Sequence, residues 1–240
     1  MNRRAASRTG APARARRARR PDATLVGRVM DTLDTLVEAY DLPVVEKIAE
    51  EHRADPFRVL IGTMLSARTQ DATTDAASRR LFARARTPRT MAALGVRAIE
   101  RLIYPVSFYR NKARHVRATC RLVEERFGGR VPATMDELLS LPGVGRKTAN
   151  LVMIVAHRSP DNICVDTHVH RIANRLGWVA TSTPEETEQA LYRAIDRRWW
   201  SRINLYLVTW GQRVCRPIGP RCHECAIRAL CPRLGVRTGA

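Results

Sequence analysis

Apolar residues recur at intervals of three and four along almost the whole chain, the spacing that lines them up on one face of a helix. Val26, Val29, Met30, Leu33, Leu36, Val37 and Tyr40 form the first such stripe and predict one amphipathic helix. Helix punctuation agrees. Asp55 followed by Pro56 is an N-cap with proline at the first helical position, opening FRVLIGTMLSA. Thr134 and Glu137 have capping-box spacing ahead of DELLSL, and Thr183, Pro184 and Glu186 repeat that arrangement ahead of ETEQALYRAI. No stretch alternates apolar and polar for any length, and no motif recurs at a solenoid period. The predicted fold class is all-α.

Two of these helices, DELLSL and KTANLVMIVAH, are joined by PGVG within LPGVGRKTAN, Leu141 to Asn150. Proline ends the first helix, and glycines open backbone conformations closed to other residues. They also let a phosphate approach the free N–H groups and positive dipole at the start of the second helix. Gly143, Val144, Gly145 and Arg146 are therefore candidate DNA-backbone contacts. A hairpin buried in a protein core would read much the same.

Charge favours the nucleic-acid reading. The 240 residues carry a net charge of +19, with 39 arginines and only 3 lysines, Lys47, Lys112 and Lys147. Eight arginines lie in residues 1–20; without them the body still has 34 basic against 23 acidic residues. A basic body points to a polyanionic partner, although arginine drift in a GC-rich genome would also raise the charge. The segment 1–22 is low in complexity and too poor in apolar residues to offset its ordering entropy, so it is expected to be a disordered basic tail. A DNA-binding arm, a mitochondrial transit peptide and an extension without function all fit it. No apolar run has the length of a membrane span, and the tail lacks the apolar core of a secretory signal. The expected location is the cytoplasm, at the nucleoid, or a mitochondrion or nucleus in a eukaryote. No apolar seam suggests self-association, so a monomer is expected.

In a chain so rich in arginine, the lysine at the hairpin calls for a chemical reason. Lys147 follows the second glycine by two residues, and VDTHVHR brings Asp166 nineteen residues later. A primary amine can attack a sugar carbon and form a Schiff base, whereas an always-protonated guanidinium cannot. A nearby carboxylate can move a proton and stabilise positive charge developing on the sugar. A phosphate contact by Lys147 and a helix N-cap at Asp166 are the simpler alternatives.

The C-terminal stretch places Cys215, Cys222, Cys225 and Cys231 in the pattern C-x6-C-x2-C-x5-C. Without an export signal, four such thiols suggest a metal rather than disulfides. A [4Fe–4S] cluster and a structural zinc both accept four thiolates, and the proline after the last cysteine leans towards the cluster. Arg216 and Arg221 lie between the ligands, as in a cluster-held loop that meets phosphate. Cys120 and Cys164 have apolar neighbours and are expected to be buried and inert.

LPGVGRKTAN, VDTHVHR and the four-cysteine pattern, in that order, closely resemble the endonuclease III family of DNA glycosylases, from about residue 25 to about 235. The resemblance implies two helical lobes with duplex DNA held across the cleft between them. One is a six-helix bundle over 47–159 that carries the hairpin. The other is discontinuous, 23–46 with 160–240, around the [4Fe–4S] cluster. It implies excision of oxidised or ring-saturated pyrimidines, with Lys147 as nucleophile and Asp166 assisting base departure, then strand cleavage by β-elimination. Relatives that remove only the base lack this lysine, and the adenine-removing branch adds a long C-terminal domain, whereas this chain stops nine residues after Cys231. A monofunctional mismatch or uracil-type glycosylase and a noncatalytic helix–hairpin–helix DNA-binding protein are the competing readings. In LSARTQD, where the family often has Gln, this chain has Arg68; the usual wedge leucine aligns with Phe108. Asp71 matches a family aspartate near the pocket.

Overall fold

A computed structural model of the chain describes residues 22–236. The basic segment 1–21 lies outside the described residues. Within them are twelve α-helices, two short 3₁₀ turns and no strand. The stripe from Val26 becomes α1 (Ala23–Val37), which ends short of Tyr40, the last residue of the predicted stripe; Asp22 caps it, its carboxylate accepting from Thr24 N at 2.8 Å. α2 spans Val44–Glu51 and α3 Pro56–Ser66; Asp55 caps α3 by accepting from Phe57 N at 2.9 Å. Then come α4 (Asp71–Arg84), α5 (Pro88–Ala92), α6 (Val96–Ile103), α7 (Tyr109–Phe127), α8 (Met135–Leu139) and α9 (Arg146–Val155). The chain closes with α10 (Thr167–Arg175), α11 (Pro184–Ala194) and α12 (Ile203–Arg213).

The capping signals act with one change. Thr134 and Thr183 each accept the N–H three residues on, from Glu137 and Glu186. The return arm differs: Glu137 takes the Thr134 hydroxyl, and Glu186 takes Ser182 N at 2.8 Å.

Two hydrophobic cores form. The first gathers the buried faces of α2 to α9 around α3, which is buried from Val59 to Leu65 without a break. α3 packs against α2, α4, α7 and α9, so it has no solvent face to keep polar. The second core joins α1 to α10, α11 and α12 and buries Trp178, Trp199 and Trp210. The two ends of the described residues therefore build one core and their middle builds the other.

One short segment belongs to both. Ile163 and Val165 enter the second core while Cys164, between them, enters the first. Alternate side chains of an extended backbone point to opposite sides, so this strip is the seam between the cores. Burial pushes the Cys120 thiol up to about 12 and the Cys164 thiol higher still, so both stay protonated. Asp166 ends the seam.

Candidate active site and thiol cluster

The hairpin is tied down from below. Thr119 on α7 donates its hydroxyl to Pro142 O at 2.7 Å. Gly143 has φ +77°, and a Cβ built there would lie 2.7 Å from the His115 side chain. Glycine is thus required twice, for its conformation and for its close approach. Gly143, Gly145 and Arg146 are exposed. Val144, expected among the backbone contacts of the hairpin, turns inward. Its side chain is buried in the first core and its N–H donates to Leu141 O at 3.1 Å, so it anchors the turn. Arg146 also has a partner: its guanidinium pairs with Glu188 of α11, whose side chain is only 5% exposed. About half of the Arg146 side chain remains accessible.

Beyond the hairpin, a cleft of about 750 Å³ separates the two cores. From the first core it is lined by Glu46, Arg68, Asp71 and Lys147, and from the seam and second core by Asp166, His168 and Asn204. Lys147 is the second residue of α9, where backbone N–H groups are still free and the dipole is positive. No carboxylate among the described residues lies within ion-pair distance of it. Asp166 is the N-cap of α10: its Oδ1 accepts from His168 N at 2.8 Å and Val169 N at 2.9 Å. Capping occupies one carboxylate oxygen and fixes the side chain, while the residue still lines the cleft. The N-cap and the site residue are therefore compatible roles.

Glu46 was not singled out from the sequence. It keeps some exposed surface, yet its carboxyl sits deep enough for burial to raise it from 4.5 to about 7. The attraction of Lys147 opposes that shift; the charges of Asp71 and Asp166 reinforce it. Nothing local marks Glu46, since an acid in the first turn of a helix is commonplace. Asp71 is held by Val44 N and Gln212 Nε2, each at 3.2 Å, and so connects α2, α4 and α12. Burial, partly offset by Asp166, lowers His168.

Arg68 lies exposed on the cleft rim with φ +54°. Phe108, the residue before α7, has φ +57° and is 62% exposed. Both bulky side chains are thus turned outward from left-handed backbone, uncommon for such residues. A core position for Phe108 is ruled out by its exposure.

Cys215, Cys222, Cys225 and Cys231 are unpaired, half-buried thiols lining one cavity against the second core. Arg171 and Arg175 of α10 hold the loop. Arg171 Nη2 donates to Cys215 O at 2.8 Å; Arg175 donates to Arg216 O at 2.7 Å, Pro217 O at 3.0 Å and Cys215 Sγ at 3.3 Å. The indole N–H of Trp210, on the same cavity, is buried and has no oxygen or nitrogen partner; it faces the Cys225 thiol, whose raised proton affinity it lowers. A donor aimed among thiols fits an inorganic acceptor held by them. Among the described residues, no three potential ligands converge tightly enough for a single metal ion. Arg216 is exposed, and Arg221 is shared with Glu224 at 3.5 Å.

The sequence pattern of the HhH-GPD superfamily base excision DNA repair protein family matches residues 61–197. The endonuclease III of Thermotoga maritima is 46% identical over 197 residues, covering 82% of this chain and 92% of its own. The endonuclease III-like protein 1 of Bos taurus is 43% identical over 213 residues, or 85% and 70%. Among solved structures, a non-covalent endonuclease III–DNA complex superposes with a TM-score of 0.79 at 33% identity, over 89% of this chain and 96% of the other. A trapped endonuclease III–DNA covalent intermediate gives 0.79 at 34% identity, over 89% and 97%.

Proposed function

From the premise that the chain belongs to the endonuclease III family of base excision DNA repair proteins, we propose that Lys147 and Asp166 carry its reaction on damaged pyrimidines in duplex DNA. The protein is a bifunctional DNA glycosylase and abasic-site lyase. The observation behind the residue assignment is that an amine from one core and a carboxylate from the other line one cleft.

The damaged nucleotide leaves the stack, which costs least where damage has already weakened stacking. Lys147 Nζ attacks C1′ and the glycosidic bond breaks, its electron pair leaving with the base, which takes up a proton. Asp166 stabilises positive charge on the sugar and handles the amine proton. The sugar ring opens to a protonated imine on Lys147. Loss of a C2′ proton then expels the 3′ phosphate from C3′, and water releases the amine. Glu46 is a further carboxyl within the same cleft.

Gly143, Gly145 and Arg146 serve as the phosphate grip, with Arg216 and Arg221 as a second basic contact, and Arg68 and Phe108 probe the opened stack. The chain divides into a bundle of 44–159, which α2 joins whole rather than from residue 47, and a lobe of 23–43 with 160–236, and it acts as a monomer. Its work lies where the DNA is, at a nucleoid or, in a eukaryote, in a nucleus or organelle. No helix among the described residues is long and apolar enough to cross a membrane.

Cys215, Cys222, Cys225 and Cys231 would hold a [4Fe–4S] cluster, which supplies a structural cross-link for the loop. Four thiols on one cavity, with a proline after the last of them, favour the cluster over zinc. Iron and sulfide analysis tests this; a colourless protein rich in zinc overturns it.

Borohydride trapping on a duplex containing thymine glycol tests the lysine. A covalent protein–DNA adduct that disappears in Lys147→Ala is the expected result. Failure of the native protein to form one, there and on an abasic duplex, sinks the assignment. For Asp166, asparagine preserves the cap and removes the charge, whereas alanine removes both. Asp166→Asn should lose turnover at near-native stability, and Asp166→Ala should lose about 1 kcal/mol as well.

A further inference from the structure

Of the chain's three lysines, Lys47 pairs with Asp75 on the surface and Lys147 lines the cleft. Lys112, in the first turn of α7, is buried. Its ammonium donates to Leu65 O at 2.7 Å, Ala67 O at 2.6 Å and Thr69 Oγ1 at 3.2 Å. No acidic side chain among the described residues forms an ion pair with it. All three N–H bonds thus go to the end of α3 and the turn after it. Thr69 Oγ1 also accepts from Ser107 N at 3.2 Å. Burial and the charge of Lys147 lower Lys112 to about 8.

This arrangement joins two exposed probes. Arg68 lies between Ala67 and Thr69, both held by the ammonium. Phe108 lies beside Ser107, held through Thr69, and its carbonyl accepts from Lys112 N at 3.0 Å. Each probe has φ near +55°, at 54° and 57°, a conformation that persists only when its surroundings enforce it. A compact ammonium can place three donors on three oxygens from a single point; a planar guanidinium cannot. That accounts for lysine in a chain that otherwise uses arginine.

We propose that Lys112 is a positioning residue for damage recognition, clamping the Arg68 turn to the Phe108 turn so that both probes meet DNA as one rigid unit. The inference rests on the reading that Arg68 and Phe108 contact DNA. It goes beyond that reading in assigning their geometry to a buried cation that touches neither substrate nor the reacting atoms.

The test compares Lys112→Met, Thr69→Val, Arg68→Ala and Phe108→Ala in the full-length protein on a duplex containing thymine glycol opposite 2-aminopurine. Thr69→Val keeps the side-chain shape and two of the ammonium's three bonds, so it remains informative if Lys112→Met fails to fold. The expected result is a KM raised about tenfold for Thr69→Val, the worth of one charge-assisted hydrogen bond, and by more for Lys112→Met, with kcat changed much less in both. The fluorescence rise of the estranged 2-aminopurine should shrink with it. If Arg68→Ala and Phe108→Ala raise KM while Lys112→Met and Thr69→Val leave KM and fluorescence native, the clamp is wrong and the probe assignment stands. If Arg68→Ala and Phe108→Ala are both without effect, the probe assignment fails and the clamp falls with it.

Discussion

Glu46→Gln replaces a carboxyl that burial raises to about 7 with a neutral amide of nearly the same shape. The folded protein then binds this proton more tightly than the unfolded chain, whose value is 4.5. Between these two values the unfolded chain has released the proton and the folded protein retains it. Glu46 therefore weakens the fold progressively as pH rises from about 4.5 to about 7, and by a constant amount above that. At about 1.36 kcal/mol for each pKa unit, the penalty reaches a ceiling of about 3 kcal/mol. Water at the cleft mouth screens part of it, because the residue keeps some exposed surface. Urea unfolding of both proteins at about pH 5 and about pH 8 reads the difference directly, since groups common to both cancel. Glu46→Gln should be close to native stability at the lower pH and the more stable protein at the higher one. A stability difference that stays the same across that range would show that Glu46 titrates as an ordinary surface acid and that the cleft does not bury its charge.

Leu60, at 0% exposure in the middle of α3, should cost about 2–5 kcal/mol when changed to alanine, seen as a lower urea midpoint with an unchanged slope. Gly143→Ala puts a methyl against His115 and strains φ, so nonspecific duplex affinity should fall at least several-fold and the hairpin amides should lose hydrogen-exchange protection. Arg175→Met frees the carbonyls of Arg216 and Pro217; bound iron should be lost faster on dilution, while circular dichroism of the helices stays close to native. Native iron retention in that variant would refute a role for α10 in holding the loop.

Much of the fold could be read residue by residue because its signals are local. The helix stripe from Val26, the Asp55-Pro56 cap and the Thr183 cap report on turns within a few residues of themselves, and those turns form as written. α3 and α12 are harder to read: each is apolar on nearly all sides, since each is surrounded by other helices, and burial erases the periodicity that marks a surface helix. Val144 lies inside a motif associated with DNA contact, yet the turn points it inward. Side-chain direction there depends on the packing of Thr119 and His115 beneath it.

The sequence by itself determined the helical class, the hairpin, the amine placed at a helix start and the four thiols, because residue type and short spacing are enough to specify each. Tertiary structure alone decided which residues share a cleft. Lys147 and Asp166 line one cleft because Ile163, Cys164 and Val165 divide their side chains between two cores. Glu46 acquires its raised proton affinity, and Lys112 its three oxygen partners, from segments some 25 to 101 residues away, as the numbering of Asp71 and Lys147 or Leu65 and Thr69 shows. Burial and electric field are set by everything that packs around a group, and no window along the chain contains them.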